Sequence, residues 1–164
     1  NLFQQNDIIY LNNNGCIFLM NQNCICNFFT GKYVIFCNFT KKIPLINITE
    51  SINLISISIF LDISSCKELE KINKNHFNLK IFTDIHLVNC QIKYIEDFTF
   101  DNMTRLFNLD LSRNHLNSVK KNTFKSNLVS LSNIYLANNR IKIVEAESFD
   151  ELSNLIYVYL NDNQ

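Results

Sequence analysis

A spacing of apolar residues that returns every 24 or 25 positions constrains the fold of this 164-residue chain more than any other feature. The segment 106–116 reads LFNLDLSRNHL and fills every position of the frame LxxLxLxxNxL. The frame returns from Leu131, returns in part from Leu155, and is preceded by a copy from Phe82. One such unit cannot bury its own apolar side chains, so successive units must stack on one another. The period therefore predicts a solenoid.

Each unit carries a second signature in its other half, where an aliphatic residue is followed five positions later by phenylalanine. These pairs are Ile95 and Phe100, Val119 and Phe124, and Val144 and Phe149. We expect the phenylalanine to fill the wider, convex side of each coil. The alternative, a chance run of amphipathic strands, would not also bring Asn114, Asn139 and Asn163 into the same position of the frame.

The LxL stretch of the frame predicts a short strand. Successive side chains of a strand point to opposite faces, so the leucines face inward and the residue between them faces outward. Asparagine in the ninth position can bond to the turning backbone, whose N–H and C=O groups need partners. The positions of this expected asparagine ladder are Cys90, Asn114, Asn139 and Asn163. The predicted fold is an α/β solenoid with a curved parallel β-sheet on its concave face and irregular or 3-10 structure on its convex side.

Cysteines cluster at one end of the chain. Four of the six precede the repeats: Cys16, Cys24, Cys26 and Cys37. An even cluster there indicates a disulfide-stapled cap, which would cover the open apolar edge of the first repeat. Three pairings of these four cysteines are possible. A metal site formed by Cys24 and Cys26 with His76 or His86 is disfavoured, because C-x-C lacks the usual zinc-ligand spacing. We expect no metal and no cofactor.

A family resemblance rests on these residues. The stretch 16–44, with C…C-x-C…C followed by Ile43 and Pro44, resembles the N-terminal cysteine-rich cap of extracellular leucine-rich-repeat proteins. The repeats with a late phenylalanine resemble the "typical" subclass, which occurs in Toll-like receptors, Slit, small proteoglycans and insect secreted immune proteins. The resemblance covers nearly the whole chain from about Cys16 and implies the pairs Cys16–Cys26 and Cys24–Cys37. The long gap between Cys16 and Cys24, and Gly15 in place of the usual proline, depart from the pattern.

These patterns predict one domain with two parts. We place the N-terminal segment and cap at 1–53, with the cap itself at about 16–44, and the repeats at 54–164. After one degenerate unit, repeats start at 82, 106 and 131, and a partial repeat starts at 155. The sequence ends at Gln164 inside that partial repeat, and no secretory signal is evident at Asn1. We therefore expect a mature or trimmed N-terminal part of a longer protein.

Cys66 and Cys90 lie within the repeats. Cys90 takes the asparagine position of its unit, and Cys66 belongs to the degenerate one. The residues that fit the frame loosely there are Leu54, Ile57, Ile59 and Asp62. Two interpretations of the pair stay open: a Cys66–Cys90 disulfide between successive coils, or two free, buried thiols.

Glycosylation sequons, like the predicted disulfide cap, favour an extracellular location. Asn38, Asn47 and Asn102 each begin an N-x-S/T triplet without proline. In an asparagine-rich chain some sequons arise by chance, but three of them beside a disulfide cap favour an extracellular protein. We expect it to be secreted or to be the ectodomain of a membrane protein.

The sequence lacks the patterns of several other function classes. Net charge is zero and charged residues make up 18%, so we expect no nucleic-acid partner and no membrane contact by this segment. The three histidines, His76, His86 and His115, fall in unrelated positions of the frame. With only two glycines, no glycine-rich phosphate loop can form, and no hydrolase motif is present. We expect a chain that is not an enzyme.

Binding has a predicted platform in the outward-facing residues of the strands. The candidate ligand-binding residues are Asp84, His86, Asn108, Asp110, Arg113, Asn133, Tyr135, Tyr157 and Tyr159. The tyrosines gather toward the C-terminal end, where each offers apolar area with a polar tip, as interface residues often do.

The sequence thus predicts an extracellular recognition module, of innate-immune or cell-surface type, that binds a protein or microbial ligand. A homo- or heterodimer is compatible with this function. The alternative is a structural or adhesive component of the extracellular matrix. An intracellular inhibitor of the ribonuclease-inhibitor type is disfavoured, because such arrays have longer alternating repeats, reduced cysteines and no such cap.

Overall fold

The computed structural model of the chain describes residues 8–12, 15–19, 24–29, 32–38, 45–48, 58–66, 69–77, 80–125 and 127–164. These segments contain fourteen strands and one short 3-10 helix, Lys74–His76. The strands are β1 (Ile8–Asn12), β2 (Gly15–Leu19), β3 (Cys24–Phe29), β4 (Lys32–Asn38), β5 (Leu45–Ile48), β6 (Ser58–Ser64), β7 (Lys71–Ile72), β8 (Asp84–Val88), β9 (Tyr94–Ile95), β10 (Asn108–Asp110), β11 (Ser118–Val119), β12 (Asn133–Tyr135), β13 (Ile143–Val144) and β14 (Tyr157–Tyr159). None of the described segments forms a helix with the length and hydropathy of a membrane span.

One long sheet forms the concave wall of the molecule. Its strand order is β14-β12-β10-β8-β6-β4-β3, and every pair is parallel except the antiparallel β3–β4 hairpin. Two-stranded parallel ribbons, β7–β9 and β11–β13, lie between turns on the other side of the coils. The predicted parallel-sheet solenoid is confirmed. Its convex side is built from these ribbons, from turns and from the single 3-10 helix, with no α-helix among the described residues.

Inward-facing side chains of the strands form one continuous core. The pairs Ile85 and Leu87, Leu109 and Leu111, and Ile134 and Leu136 are all fully buried. On the opposite side of the core a column of phenylalanines runs through the repeats: Phe77, Phe100, Phe124 and Phe149. Neighbouring rings in this column have centroids 5.7, 6.2 and 5.7 Å apart. Each coil is therefore packed on the next one along both walls.

The asparagine ladder closes the turn that follows each strand. Asn114, only 3% exposed, donates from Nδ2 to the carbonyl oxygens of Leu87 (2.7 Å) and Leu111 (2.9 Å). Its Oδ1 accepts from the backbone N–H groups of Cys90 (2.9 Å) and Ile92 (3.1 Å). One side chain thus satisfies buried backbone groups of its own coil and of the preceding coil, groups that would otherwise be costly to bury.

The same arrangement recurs at the next two positions of the ladder. Asn139 donates to Leu111 and Leu136 at 3.0 and 3.1 Å, and its Oδ1 accepts from Leu116 N at 3.0 Å. Asn163 repeats this pattern with bonds of 2.9–3.0 Å to the carbonyl oxygens of its own and the preceding coil and to Ile141 N.

The degenerate repeat is positioned differently from our expectation. Its strand β6 pairs with β8 so that Leu61 lies beside Ile85, and Ile63 lies beside Leu87. The inward pair is therefore Leu61 and Ile63, four residues later than the pair Ile57 and Ile59 that the loose frame gave. Strict alternation explains the error, because a shift by an even number of residues leaves the same side chains facing inward.

This register places Cys66 and Cys90 in the asparagine position of consecutive coils. Cys66 follows Ile63 by three residues, as Cys90 follows Leu87. Both are fully buried, and a disulfide joins them with a Cα–Cα distance of 4.2 Å. At the start of the ladder, successive coils are therefore joined by a disulfide, whereas later coils are joined by the hydrogen bonds of an asparagine side chain.

The N-terminal part of the chain ends the concave sheet with a hairpin. Within it the backbone of Cys24 lies directly opposite that of Cys37. Opposed residues of antiparallel strands have Cα separations that a disulfide can span. β1 forms a separate sheet with β2 and β5. The side chains of the four cap cysteines lie outside the described residues, so both cap pairings stay predictions.

Replacing the disulfide by an amide tests whether the two are equivalent. In a Cys66→Ala/Cys90→Asn variant, the new amide can reach Ile63 O, which lies 3.4 Å from Cys90 Sγ. We expect this variant to be more stable in urea than Cys66→Ala/Cys90→Ala, since each added hydrogen bond contributes about 1 kcal/mol. Both should be less stable than the oxidised protein, because a disulfide closing a loop of this length contributes about 3 kcal/mol. Equal unfolding midpoints for the two variants would contradict the equivalence.

Candidate ligand-binding surface

The outward-facing residues of the concave sheet form three rows that run across the strands. Row 1 is Val34, Phe60, Asp84, Asn108, Asn133 and Tyr157. Row 2 is Phe36, Asp62, His86, Asp110, Tyr135 and Tyr159. Row 3 continues with smaller side chains: Ser64, Val88, Ser112, Ala137 and Asn161. Parallel pairing sets neighbouring members of a row about 4.8 Å apart along the sheet.

Rows 1 and 2 contain eight of the nine predicted binding residues, and Arg113 lies at their rim. Arg113 is exposed and adopts a left-handed conformation, with φ of 58°. Asn89 and Asn138 take the same conformation at the equivalent turn, where asparagine is more readily accommodated than arginine. Sequence reasoning missed Phe60 and Asp62 because the register of the degenerate repeat was wrong, and it missed Phe36 because the cap was not predicted to add a strand to this sheet. The alternation of the segment 58–64 was the available signal, but it fixes a face and not a register.

The middle of row 1 is a chain of hydrogen bonds. Asn133 Nδ2 donates to Asn108 Oδ1 at 2.7 Å, and Asn108 Nδ2 donates to Asp84 Oδ1 at 2.6 Å. The other oxygen of Asp84 accepts from Thr83 Oγ1 at 2.8 Å. These side chains hold one another in place across three coils, so this part of the face is both polar and ordered.

At the C-terminal end of the face, Tyr135, Tyr157 and Tyr159 form a tyrosine cluster. The rings of Tyr135 and Tyr159 are stacked, with centroids 4.6 Å apart, and Tyr157 lies 5.9 Å from Tyr159. Tyr157 is 54% exposed and Tyr159 40% exposed. Burial, together with the neighbouring Tyr159 and Asp110, raises the pKa of the Tyr135 hydroxyl above its ordinary value. The cluster offers stacked aromatic area with hydroxyl groups available for hydrogen bonds.

The other end of the face is also aromatic. Phe60 lies between Phe36 and His86, with ring centroids 6.5 and 4.4 Å away, the His86 contact being edge-to-face. Lys32 Nζ lies 4.7 Å from the centre of the Phe60 ring, a cation–π contact. The sheet face therefore already holds one ammonium group on an aromatic ring.

Between these aromatic ends, row 2 is acidic. Asp62 and Asp110 lie on either side of His86, each one strand away from it. Asp110 Oδ1 accepts from Ser112 N at 2.8 Å, whereas Asp62, half-buried, accepts no hydrogen bond from the residues that the structure describes. Burial raises the pKa of the Asp62 carboxyl; the charge of Asp110 adds to this effect and His86 opposes it. Asp62 is thus a carboxylate that the fold desolvates without supplying a donor.

The convex side differs, because several of its charged side chains form ion pairs between coils. Ion pairs join Lys93 to Glu70, Lys71 to Glu96, Lys121 to Glu147 and Lys125 to Glu151. Each pair is solvent-exposed and contributes little to stability alone.

The three histidines do not come together in one site. His76 bonds to Asn73 in the cap of the 3-10 helix, while His86 lies on the concave face. Within the described segments no three His, Cys, Asp or Glu side chains are placed to hold a metal ion.

Among the predicted glycosylation sites, Asn102 is exposed on a turn of the convex side, and Thr104 of its sequon is exposed as well. Its Oδ1 accepts from Asn127 Nδ2 at 2.8 Å, and Asn102 Nδ2, the atom that an N-glycan would modify, has no bond to another described residue. The side chains of Asn38 and Asn47 lie outside the described residues.

Comparison with known proteins agrees with this architecture. Residues 105–164 match the family described as leucine rich repeat, which is 60 of the 164 residues. The match covers the coils whose strands are β10, β12 and β14. No curated protein matches the chain. The described coils form a solenoid of the leucine-rich-repeat type, a fold that typically serves as a non-enzymatic scaffold for binding proteins.

The desolvation of the Asp62 carboxylate can be tested by measuring how Tm depends on pH. A carboxyl group whose pKa is raised on folding favours the folded state when protonated, and this contribution is lost as pH rises through the folded pKa. We expect Asp62→Asn to have a higher Tm than the unchanged protein at pH 7, with the difference closing as pH falls below the ordinary value of 3.8. Asp150→Asn, on the exposed convex side, serves as the control and should leave Tm unchanged. A Tm for Asp62→Asn that stays at or below the unchanged protein at pH 7 would mean that Asp62 is satisfied in the fold.

Proposed function

We propose that this chain is an extracellular recognition module that binds a protein or microbial ligand on the concave sheet, as part of an innate-immune or cell-surface receptor. The observation that carries the proposal is the tyrosine cluster, whose large aromatic side chains remain open to solvent on the only long sheet of the described segments. Tyrosine is enriched among the residues that dominate binding energy at protein interfaces.

The distribution of polar contacts supports the concave face, and not the convex side, as the binding surface. On the convex side, four ion pairs join charged side chains of neighbouring coils. On the concave face, Asp62 and the hydroxyl groups of the tyrosine cluster lack such partners among the described residues. Groups that can make new bonds at low desolvation cost are the ones a partner can use.

An extracellular location is supported by the buried Cys66–Cys90 disulfide, since structural disulfides persist mainly in oxidising compartments. The accessible Asn102 sequon supports the same location.

A triple variant of the tyrosine cluster tests the binding face. We expect Tyr135→Ala/Tyr157→Ala/Tyr159→Ala to lose at least about 100-fold in affinity for a natural partner, because individual interface tyrosines commonly contribute more than 1 kcal/mol. Proteins of the extracellular fraction of the native source would be captured on the unchanged chain and on the variant, and the affinity of each captured protein measured on both. Lys121→Ala/Lys125→Ala, on the convex side, is the matched control. Undiminished affinity of the triple variant, or equal loss in the control, would refute the concave face as the binding surface.

The location has its own test on protein purified from its native source. We expect the Asn102 peptide to carry an N-glycan, detected by mass spectrometry before and after glycosidase treatment. We also expect the denatured, unreduced chain to expose no thiol from Cys66 or Cys90. An unmodified Asn102 together with two reactive thiols would place the protein in a reducing compartment and overturn the extracellular assignment.

A further inference from the structure

The chemistry of row 2 limits the kind of partner that can occupy the concave face. Two carboxylates, Asp62 and Asp110, lie at its centre, with aromatic rings at both ends. The third carboxylate of the face, Asp84, is already engaged by Thr83 and Asn108. The partner therefore has to supply donors mainly to Asp62 and Asp110.

We propose, on the basis of the function proposed above, that the partner of this face is a protein with an extended basic segment, whose lysine or arginine side chains bind between Asp62, Asp110 and the tyrosine cluster. A neutral segment could donate hydrogen bonds to Asp62 but would leave the charges of Asp62 and Asp110 uncompensated, and an acidic segment would add repulsion. Burying an unpaired carboxylate under a partner costs far more than leaving it at a half-exposed surface.

The aromatic residues favour the same cationic chemistry. Asp110 is the register neighbour of Tyr135, whose ring stacks on Tyr159, so a carboxylate and an aromatic surface lie side by side. Guanidinium groups bind such pairs well, because they can accept contact on their flat face and donate hydrogen bonds at their edge. At the opposite end of the face, Lys32 on Phe60 is an intramolecular example of a cation on an aromatic ring.

Among the described residues of the concave face, the positively charged side chains other than His86 lie at the margins of this region. Lys32 lies on β4, near the hairpin end of the sheet, and Arg113 lies at the rim of the turn after β10. His86, between the two carboxylates, is the one basic side chain within the centre of row 2. The centre of the row is therefore complementary to added positive charge.

The distance between the two carboxylates limits how the basic residues of the partner can be spaced. Asp62 and Asp110 are two strands apart, about 9.6 Å along the row. In a polyproline II segment, side chains three residues apart lie on the same side and about 9.3 Å from each other. A segment of the form basic-x-x-basic, lying across the strands beside the small side chains of row 3, would bring one cation to each carboxylate.

Peptide selection tests this inference directly. A display library of random 12-residue peptides would be selected on the unchanged chain, and enriched peptides then measured on Asp62→Asn/Asp110→Asn. Asparagine keeps the Oδ1 that accepts from Ser112 N, so this variant should retain the local fold, which its circular dichroism and Tm would verify. The expected result is enrichment of lysine or arginine at a three-residue spacing, with affinity reduced at least about tenfold on the variant.

A control of equal charge change is available on the convex side. Asp150→Asn/Glu151→Gln also removes two carboxylates and should bind the selected peptides as the unchanged chain does. Enriched peptides without basic residues, no enriched peptide at all, or equal binding to Asp62→Asn/Asp110→Asn would each overturn the inference.

The tyrosine variant separates this inference from the proposed function. Peptides that lose affinity on Tyr135→Ala/Tyr157→Ala/Tyr159→Ala but not on Asp62→Asn/Asp110→Asn would leave the concave face as a binding surface and reject the basic partner. Peptides that bind equally to all variants would reject both.

Discussion

The need to satisfy buried backbone groups at every turn governs the rest of this structure. A solenoid bends its chain sharply after each strand, and the bend leaves carbonyl and N–H groups without sheet partners inside the core. Asn114 and Asn139 supply both a donor and an acceptor from one side chain, and each joins its own coil to the preceding one. Because the amide reaches fixed backbone atoms on both coils, it also fixes how far one coil is displaced from the next. Regular parallel pairing of β8, β10, β12 and β14 follows from that.

A disulfide takes over this role at the N-terminal end of the ladder. Cys66 and Cys90 occupy equivalent positions of two consecutive coils, so their side chains meet where an asparagine would bond to the backbone. The covalent link joins the coils without depending on backbone donors, and it constrains the unfolded chain as well. Cys66 lies at the turn that follows β6, the strand that contains Phe60 and Asp62. The least regular coil, whose residues fit the repeat frame poorly, is thus the one secured covalently.

How much the sequence predicted depends on the periodicity of each segment. From Phe82 onward, leucine spacing, the asparagine position and the late phenylalanine all specify one register, and the strands, the core and eight of the nine candidate binding residues follow from it. The degenerate coil has only alternation, which is unchanged by a shift of two or four residues. That ambiguity concealed Phe60 and Asp62 as members of the concave face, and it concealed the equivalence of Cys66 and Cys90. Contacts between side chains, such as the stacked Tyr135 and Tyr159, depend on rotamers that no spacing rule specifies.

The concave face combines rigid support with groups that the fold leaves unsatisfied. Its row spacing is fixed by strand pairing, and the bonds from Asn133 through Asn108 to Asp84 hold row 1 in place, so a partner meets a preformed surface. Row 2 contains groups that take no part in these hydrogen bonds. They are the desolvated carboxylate of Asp62 and the tyrosine rings, which stack on each other instead of entering the core. A carboxylate in this position lowers the stability of the isolated chain, since folding removes water from it without supplying a donor. A cationic partner would supply that donor, and the stability lost on folding would then be recovered as affinity on binding.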